Sequence, residues 1–153
     1  MNIAVGSDEA GFALKEQVKT FLEGRGHVVV DVGCYSEEPV LYPDIAERAC
    51  LKISEGSCER GVLCCGTGIG MAITANKVVG IRAAVGHDVY SVERSVLSNN
   101  CQVVTFGSRV VSYQYVTRLL DRWLGCSFVD GPDRKSTHLN SSHARLYRMP
   151  SSA

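Results

Sequence analysis

The chain has 153 residues, of which 45% are hydrophobic and 21% are charged, with 16 basic and 16 acidic side chains. This composition predicts one globular domain with a buried core and excludes a fibrous, disordered or membrane-spanning protein. No basic stripe with interleaved aromatic residues occurs, so nucleic acid is not an expected partner. Seven cysteines without a C-x-x-C pair argue against a disulfide framework and against a metal site. With no signal segment at the start, we expect a cytoplasmic protein with reduced thiols.

Apolar runs of strand length alternate with amphipathic runs of helix length, which indicates repeated βα units around a parallel sheet. Strands are predicted at residues 2–6, 27–32, 61–65, 81–85 and 102–106. Helices are predicted from Phe12 to the Gly24 and Gly26 stop, from Pro43 to Ile53, and over residues 69–75, 89–97 and 113–124. The expected fold class is α/β, a three-layer α/β/α sandwich with a five-stranded parallel, Rossmann-like sheet.

Residues that can carry chemistry follow several of the predicted strands. In open parallel sheets, ligands bind in the crevice at the carboxyl ends of the strands. The predicted strands place Asp8, Cys65, His87 and Gly107 at that edge. We therefore expect the functional site there.

A thiol and a glycine-rich turn come together at the start of the third helix, in the stretch Val62-Leu63-Cys64-Cys65-Gly66-Thr67-Gly68-Ile69-Gly70-Met71. Glycines let backbone N–H groups crowd around a small anion, and a helix N-terminus lowers the pKa of an adjacent thiol from about 8.5. The stretch predicts a thiolate beside an oxyanion cradle, which is suited to proton abstraction. An inert buried cysteine at a strand–turn–helix junction is the alternative. Cys64 should point to the opposite face of its strand.

The composition changes abruptly after Pro132. Residues 133–153 contain five serines and no apolar period, and they resemble the conceptual translation of a sequencing-library adapter. A flexible polar tail is the simpler interpretation. We predict a domain at residues 1–132 and a non-native or disordered tail at residues 133–153 that does not take part in the fold.

Six motifs in order carry a resemblance to a known family. They are Gly6-Ser7-Asp8-x-Ala10-Gly11, Tyr42-Pro43-Asp44, the cysteine–glycine loop with Ala75-Asn76-Lys77, Gly80-Ile81-Arg82-Ala83, Tyr90-Ser91 and Phe106-Gly107-Ser108-Arg109-Val110. From Met1 to about Asp130 the chain resembles the ribose-5-phosphate isomerase B family, which includes the galactose-6-phosphate isomerase subunits.

The resemblance implies interconversion of aldose and ketose phosphates through a cis-enediol(ate), without a metal or cofactor. Cys65 matches the base that removes the proton next to the carbonyl. The anion hole of the family is matched by the N–H groups of Gly66, Thr67, Gly68, Ile69 and Gly70. The Thr67 hydroxyl matches the group that assists at the sugar end.

Other matched positions imply contacts with the substrate. Asp8 matches a residue that binds sugar hydroxyls, although an Asx-turn cap is its structural alternative. Tyr42 matches a substrate-contacting tyrosine, with half-buried packing as the alternative. Arg109 matches an arginine near the phosphate, with a surface salt bridge as the alternative. Asn99 matches an asparagine that reaches the substrate across a dimer interface, so a homodimer or a tetramer with shared sites is expected.

Two of the expected substrate contacts, Glu9 and Ser98, depart from typical ribose-5-phosphate isomerases of this family. Glu9 and Ser98 stand where those enzymes have histidines, and the second of those histidines opens the furanose ring of the sugar. Serine cannot replace it as an acid–base group near neutral pH. A tetrose 4-phosphate has no free 4-hydroxyl, stays open-chain and needs no ring opening. His87 could partly replace the missing imidazoles, although a capping or packing role is the stronger expectation.

The segment Ala83-x-x-x-His87-Asp88-x-Tyr90-Ser91-x-Glu93-Arg94-Ser95-x-Leu97-Ser98-Asn99-Asn100 resembles a subgroup that isomerises tetrulose 4-phosphates in erythritol breakdown. The expected function is therefore isomerisation of a tetrulose 4-phosphate. Ribose-5-phosphate isomerase is one alternative. A phosphate-binding member that is catalytically impaired by Glu9, Ser98 and its altered C-terminus is another. The glycine loop fits neither the dinucleotide fingerprint nor the P-loop, which counts against a nucleotide.

Overall fold

The computed structural model describes residues 1–129, and the predicted tail at residues 133–153 lies outside them. The strands are β1 (Asn2–Ser7), β2 (Val28–Gly33), β3 (Arg60–Cys65), β4 (Ala83–Val85) and β5 (Val103–Gly107). The helices are α1 (Phe12–Gly24), α2 (Tyr42–Ser54), α3 (Ile69–Lys77), α4 (Val89–Leu97) and α5 (Tyr113–Gly125). Each predicted element exists, with ends that differ by at most two residues.

The five strands form one parallel sheet in the order β2-β1-β3-β5-β4. This confirms the predicted fold class. Among the strands, the largest boundary difference is at β4, which starts at Ala83 instead of residue 81. Before that point the Gln102 side chain replaces a strand partner, because its amide oxygen accepts from the Arg82 N–H at 2.9 Å and its amide nitrogen donates to the Gly80 carbonyl at 3.0 Å.

The core has two halves, one on each face of the sheet. α1, α4 and α5 cover one face, where Trp123 is fully buried, and α2 and α3 cover the other, where Ile45 and Met71 are buried. Side chains of β3 alternate between the two halves, with Cys64 in the first and Cys65 in the second. The predicted opposite orientation of the two adjacent thiols is confirmed.

The last helix is fixed to the start of β3 by a half-buried cation. The Arg60 guanidinium lies 4.8 Å from the centre of the Trp123 ring and donates to the carbonyls of Trp123 and Cys126. Cys126 follows directly on α5, so Arg60 satisfies carbonyls that a helix end leaves without intrahelical partners. The chain then turns toward α4, where the Val129 N–H donates to the Leu97 carbonyl at 3.1 Å.

The short edge strand β4 has a side chain along its open side. The amide of Asn76, near the end of α3, accepts from the Ala83 N–H at 2.9 Å and donates to the Ala83 carbonyl at 2.8 Å. It also donates to the Ala72 carbonyl at 2.9 Å. The Ala75-Asn76-Lys77 motif therefore ties α3 to the sheet edge. Within residues 1–129, no helix has the length and apolarity needed to cross a membrane.

Candidate active site

The carboxyl edge of the sheet collects the residues that the sequence predicted there. Asp8 follows β1, Cys65 ends β3, His87 follows β4 and Gly107 ends β5. Backbone hydrogen bonds join the turns after these strands: the Asp8 N–H donates to the Cys64 carbonyl at 3.3 Å, and the Ser108 N–H donates to the Cys65 carbonyl at 2.8 Å.

The Cys65 thiol lies at the base of this edge, where its residue is 6% exposed. Its sulfur accepts the backbone N–H of Gly68 at 3.0 Å. An N–H donor aimed at sulfur stabilises negative charge on it. Cys64 differs because it is fully enclosed in the opposite half of the core, where burial raises the pKa of its thiol far above the ordinary range. Of the two neighbours, only Cys65 is placed for chemistry at the crevice.

Residues 66–70 form the anion loop, which leads from Cys65 into the first turn of α3. Gly68 adopts a positive φ of 80°, and its carbonyl accepts the Thr105 hydroxyl at 2.8 Å. The first N–H groups of a helix have no intrahelical acceptors and bind small anions well. In this loop the Gly68 N–H is the donor at the Cys65 sulfur, and the chain then continues into the first turn of α3.

The anion loop fits tightly against the end of β5. A Cβ atom added to Gly107 would lie 2.6 Å from the Thr67 carbonyl carbon. Thr67 itself is exposed, and its hydroxyl accepts the Ile69 N–H at 3.3 Å. The Ile69 side chain is also exposed at the mouth of the loop. The end of β5 therefore packs directly against the backbone of the loop. The Thr67 side chain lies on the exposed side.

Tyr42 and Arg109 lie against the two ends of the anion loop. A Cβ on Gly70 would be 3.1 Å from the Tyr42 ring, and a Cβ on Gly66 would be 3.7 Å from the Arg109 guanidinium carbon. The Arg109 N–H also donates to the Gly66 carbonyl at 3.1 Å. The structure thus places a tyrosine ring and an exposed guanidinium beside the two ends of the anion loop.

The Asp8 carboxylate is committed in part to its own turn. It accepts the N–H of Gly11, three residues along the chain, at 2.9 Å, which caps the turn that follows β1. Burial and the neighbouring charge of Glu9 raise the pKa of Asp8, whereas the Gly11 N–H and the charge of Arg109 act in the opposite direction. One carboxylate oxygen serves the turn, and the group still lies within the electrostatic influence of Arg109.

Glu9 has a backbone partner in the connection between β2 and α2. Its carboxylate accepts the N–H of Val40 at 3.3 Å. Val40 belongs to residues 34–41, which join β2 to α2 and lead directly to Tyr42. The structure therefore gives Glu9 a contact with this connection, in addition to the substrate contact expected from the sequence.

The His87 ring supports β5 from below. Its Nε2 accepts the N–H of Gly107 at 2.9 Å, which places the ring proton on Nδ1. Burial lowers the pKa of His87, against the smaller opposing effect of Asp88. The imidazole is thus a neutral hydrogen-bond acceptor for the strand end that backs the anion loop, in agreement with the expected packing role.

We expect the His87→Gln variant to retain isomerase activity. Its folding stability should depend less on pH in the acid range than that of the unmodified protein. The glutamine oxygen can still accept from Gly107 but does not titrate. Because folding lowers the pKa of His87, the unfolded chain takes up its proton first, and stability falls as the pH drops through about 6.5. Thermal midpoints at about pH 7.5 and 5.5 should therefore differ less in the variant than in the unmodified protein. His27→Gln is measured in parallel, because burial also lowers the pKa of His27. A loss of kcat/KM on the order of 10² in His87→Gln would instead assign the ring to catalysis.

Ser98 and Asn99 lie near the amino ends of the strands, at the side of the sheet opposite to Cys65. α4 runs back from the carboxyl edge, so its last residues lie near the start of β5. The Ser98 hydroxyl is 2.9 Å from the Arg94 carbonyl and 2.9 Å from the Asn99 side-chain oxygen. Within one chain, these two residues are therefore not brought to Cys65.

Sequence reasoning missed one link within the site. The Ser108 hydroxyl donates to the Ala10 carbonyl at 2.7 Å and so joins the turn after β5 to the turn after β1. Ser108 lies within the motif Phe106-Gly107-Ser108-Arg109-Val110. A lone serine, however, gives no sign in the sequence of the group to which its hydroxyl will donate. In the described part of the chain, no three His, Cys, Asp or Glu side chains form a cluster that could hold a metal ion.

The α/β fold thus places a thiol that accepts an N–H beside a glycine-rich loop at a helix start, an arrangement suited to binding a small anionic molecule. Comparison with known proteins gives the family: the model of the ribose/galactose isomerase family matches residues 3–141. The chain belongs to this family.

Two curated relatives show how close the similarity is. A ribose-5-P isomerase B of Listeria innocua is 45% identical over 139 residues, which cover 91% of this chain and 94% of the relative. A D-erythrulose-4-phosphate isomerase of Mycolicibacterium smegmatis is 47% identical over 131 residues, which cover 84% of this chain and 86% of the relative.

The fold agrees with solved structures of the family. A Clostridium thermocellum ribose-5-phosphate isomerase B superposes with a TM-score of 0.93 at 36% identity, covering 96% of this chain and 99% of that one. The protein is a sugar-phosphate aldose–ketose isomerase, an intramolecular oxidoreductase. Its expected activity class is confirmed, and the similarity does not separate ribose 5-phosphate from erythrulose 4-phosphate.

Proposed function

We propose that the protein isomerises a tetrulose 4-phosphate through a cis-enediol(ate), with Cys65 as the base. The observation that carries the proposal is the Cys65 sulfur, which lies beside the anion loop and accepts the Gly68 N–H at 3.0 Å. This arrangement supplies a proton acceptor and oxyanion donors at one point, which is what enediolate chemistry requires.

In the proposed reaction, the Cys65 thiolate takes the proton from the carbon next to the carbonyl. The electron pair of the broken C–H bond forms the enediolate double bond, and the negative charge moves to the carbonyl oxygen. N–H groups of the anion loop stabilise that oxygen. The proton then returns from the thiol to the neighbouring carbon, and a hydroxyl proton moves between the two oxygens. Atoms and electrons balance without a second reactant.

The remaining site residues bind and orient the substrate in this proposal. Arg109 offers a cation at one end of the anion loop, where a phosphate can accept two N–H groups. Tyr42 lies at the other end, and the Asp8 carboxylate is available to sugar hydroxyls. The Thr67 hydroxyl, which faces outward, assists proton movement between the two substrate oxygens.

The preference for a tetrose rests on what replaces the ring-opening histidine. Ser98 stands at that position, and a hydroxyl does not exchange protons readily near neutral pH. His87 does not compensate, since its Nε2 is engaged by the Gly107 N–H. A substrate that is open-chain from the start needs neither group. The similarity to the D-erythrulose-4-phosphate isomerase supports the same choice.

We also propose that the working form is a homodimer. Ser98 and Asn99 lie at the amino edge of the sheet, away from Cys65 of the same chain. If they contact the substrate, a second copy must present them to the carboxyl edge. A dimer that shares its sites in this way reconciles the predicted roles with their position.

Ribose 5-phosphate is the second candidate substrate, favoured by the 45% identity to the ribose-5-P isomerase B over 91% of this chain. The two candidates differ by one chemical step, because ribose 5-phosphate is mostly cyclic and must open first.

The test compares both substrate classes with the full chain and its Ser98→His variant. We expect tetrulose and tetrose 4-phosphates to have the higher kcat/KM in the unmodified protein. Ser98→His should raise kcat/KM on ribose 5-phosphate by about tenfold or more and change the tetrose value little, since only the cyclic substrate has a step for an imidazole to accelerate. Ser98→Asn is the matched control, because it adds bulk without an acid–base group. A higher kcat/KM on ribose 5-phosphate in the unmodified protein would reject the tetrose assignment.

A further inference from the structure

Lys15 is a fully buried lysine that the proposed chemistry does not use. It lies on the inner face of α1, with its residue 0% exposed. Its ammonium donates to both carboxylate oxygens of Asp31, at 2.8 and 3.0 Å, and lies 3.0 Å from the Glu16 carboxylate. Lysine is almost never fully buried without such partners.

Asp31 does not depend on Lys15 alone. Its carboxylate also accepts from the Lys19 ammonium at 2.6 Å and from the Gly33 N–H at 2.9 Å. Although burial raises the pKa of Asp31, the two ammonium groups hold it below its ordinary value. Lys15 therefore does something that Lys19 does not: its ammonium donates to the backbone carbonyl of Cys34.

Cys34 is the first residue of the β2–α2 loop, defined here as residues 34–41. The loop is exposed beyond Cys34 and is fixed at its two ends. At the start, Lys15 binds the Cys34 carbonyl, and the Tyr35 ring lies over the ammonium at 5.4 Å from the ring centre. At the end, the Val40 N–H donates to Glu9.

Tyr42 follows this loop and lies against Gly70 of the anion loop. Tyr42 is the first residue of α2, so residues 34–41 connect the carbonyl that Lys15 binds directly to the ring beside the anion loop. An ion pair in the interior is weak evidence for stability, because apolar side chains of similar volume often serve as well. The directional bond to the Cys34 carbonyl is the property that an apolar side chain could not reproduce.

We propose that Lys15 is a positioning residue: by binding the Cys34 carbonyl from beneath, it fixes the β2–α2 loop and so holds Tyr42 against the anion loop. The effect on catalysis rests on the proposed function, whereas the effect on the loop does not. Each part therefore has its own measurement.

The first measurement is hydrogen–deuterium exchange of the full chain. In Lys15→Met, the hydrogen-bonded loop amides of Cys34 and Val40 should exchange about tenfold faster, while those of β3 keep their protection. Lys19→Met is the matched control, since it removes an ammonium from Asp31 but no bond to the loop, and it should leave loop exchange unchanged. Equal exchange of the loop in Lys15→Met and the unmodified protein, or a uniform rise over all elements, would overturn the proposal.

A second variant tests the same proposal in case Lys15→Met alone does not fold. Lys15→Met combined with Asp31→Asn removes both buried charges, and the asparagine oxygen still accepts from Gly33. The loop should again exchange faster than β3. Retained loop protection in this double variant would also overturn the proposal.

The second measurement is a double-mutant cycle in kcat/KM with Tyr42→Phe. Lys15→Met and Tyr42→Phe should each raise KM by about fivefold to tenfold, the equivalent of one hydrogen bond, and change kcat less. Together they should cost little more than either alone, since both remove the same contact. Additive losses would overturn the link to Tyr42. Failure of the proposed function is distinguishable: the unmodified protein would lack isomerase activity, while the exchange pattern would still report on Lys15.

Discussion

Replacing Cys65 by alanine is expected to lower kcat by a factor on the order of 10² to 10⁴, the usual contribution of a general acid–base group. The sulfur is the group placed beside the anion loop, with the Gly68 N–H aimed at it from 3.0 Å. Substrate binding should change much less, because the anion loop and Arg109 remain. Steady-state kinetics with the preferred sugar phosphate measure kcat and KM. The thermal midpoint shows whether the variant keeps its fold.

Cys64→Ala is the matched control for this prediction. It removes the same atom from the adjacent residue of β3, but on the opposite face of the sheet and inside the core. We expect Cys64→Ala to lower stability by about 1 kcal/mol through the small cavity it leaves and to preserve kcat. Equal losses of kcat in both variants would show that Cys65 acts through packing.

Gly107→Ala is the second change for which a large loss is expected. The added methyl would lie within 2.8 Å of the Thr67 Cα, carbonyl carbon and carbonyl oxygen. Because these are backbone atoms, the anion loop itself must move. A displacement of about 1 Å in such a site costs on the order of 10² in rate. We expect kcat/KM to fall by that factor in an enzyme that remains folded, as followed by kinetics and circular dichroism.

Gly125→Ala provides the comparison, since no atom lies within 4 Å of the position where its methyl would be. Activity should stay within twofold of the unmodified protein, a change too small to count as loss of a catalytic contact. Unchanged activity in Gly107→Ala as well would mean that the loop can shift without affecting its N–H groups, and the assignment of residues 66–70 as the oxyanion site would fail.

The arrangement of the fold was predictable because its signals are local. Apolar runs of strand length and the glycine and proline stops placed each element, and the parallel sheet followed from their alternation. The start of β4 was not predictable, because a side chain of Gln102 takes the place of a strand partner for Arg82. A hydrogen bond between residues 20 positions apart leaves no periodic pattern.

The site was predictable where it depends on strand ends and not where it depends on tertiary contacts. Cys65, Asp8 and His87 lie at the predicted edge because parallel strands end together. Helical spacing of apolar residues gave no sign that Lys15 is buried, since its partner Asp31 comes from another element. Glu9 and His87 likewise have backbone partners, Val40 and Gly107, that only the folded chain reveals.

The Asn76 amide has a consequence for self-association. β4 is an edge strand of three residues, and open edges invite pairing with strands of other molecules, which leads to aggregation. At Ala83 both backbone groups are already taken by one side chain. A foreign strand could pair there only by expelling Asn76 and exposing the end of α3. At Ala83, an amide therefore takes the place that a sixth strand would occupy beside β4.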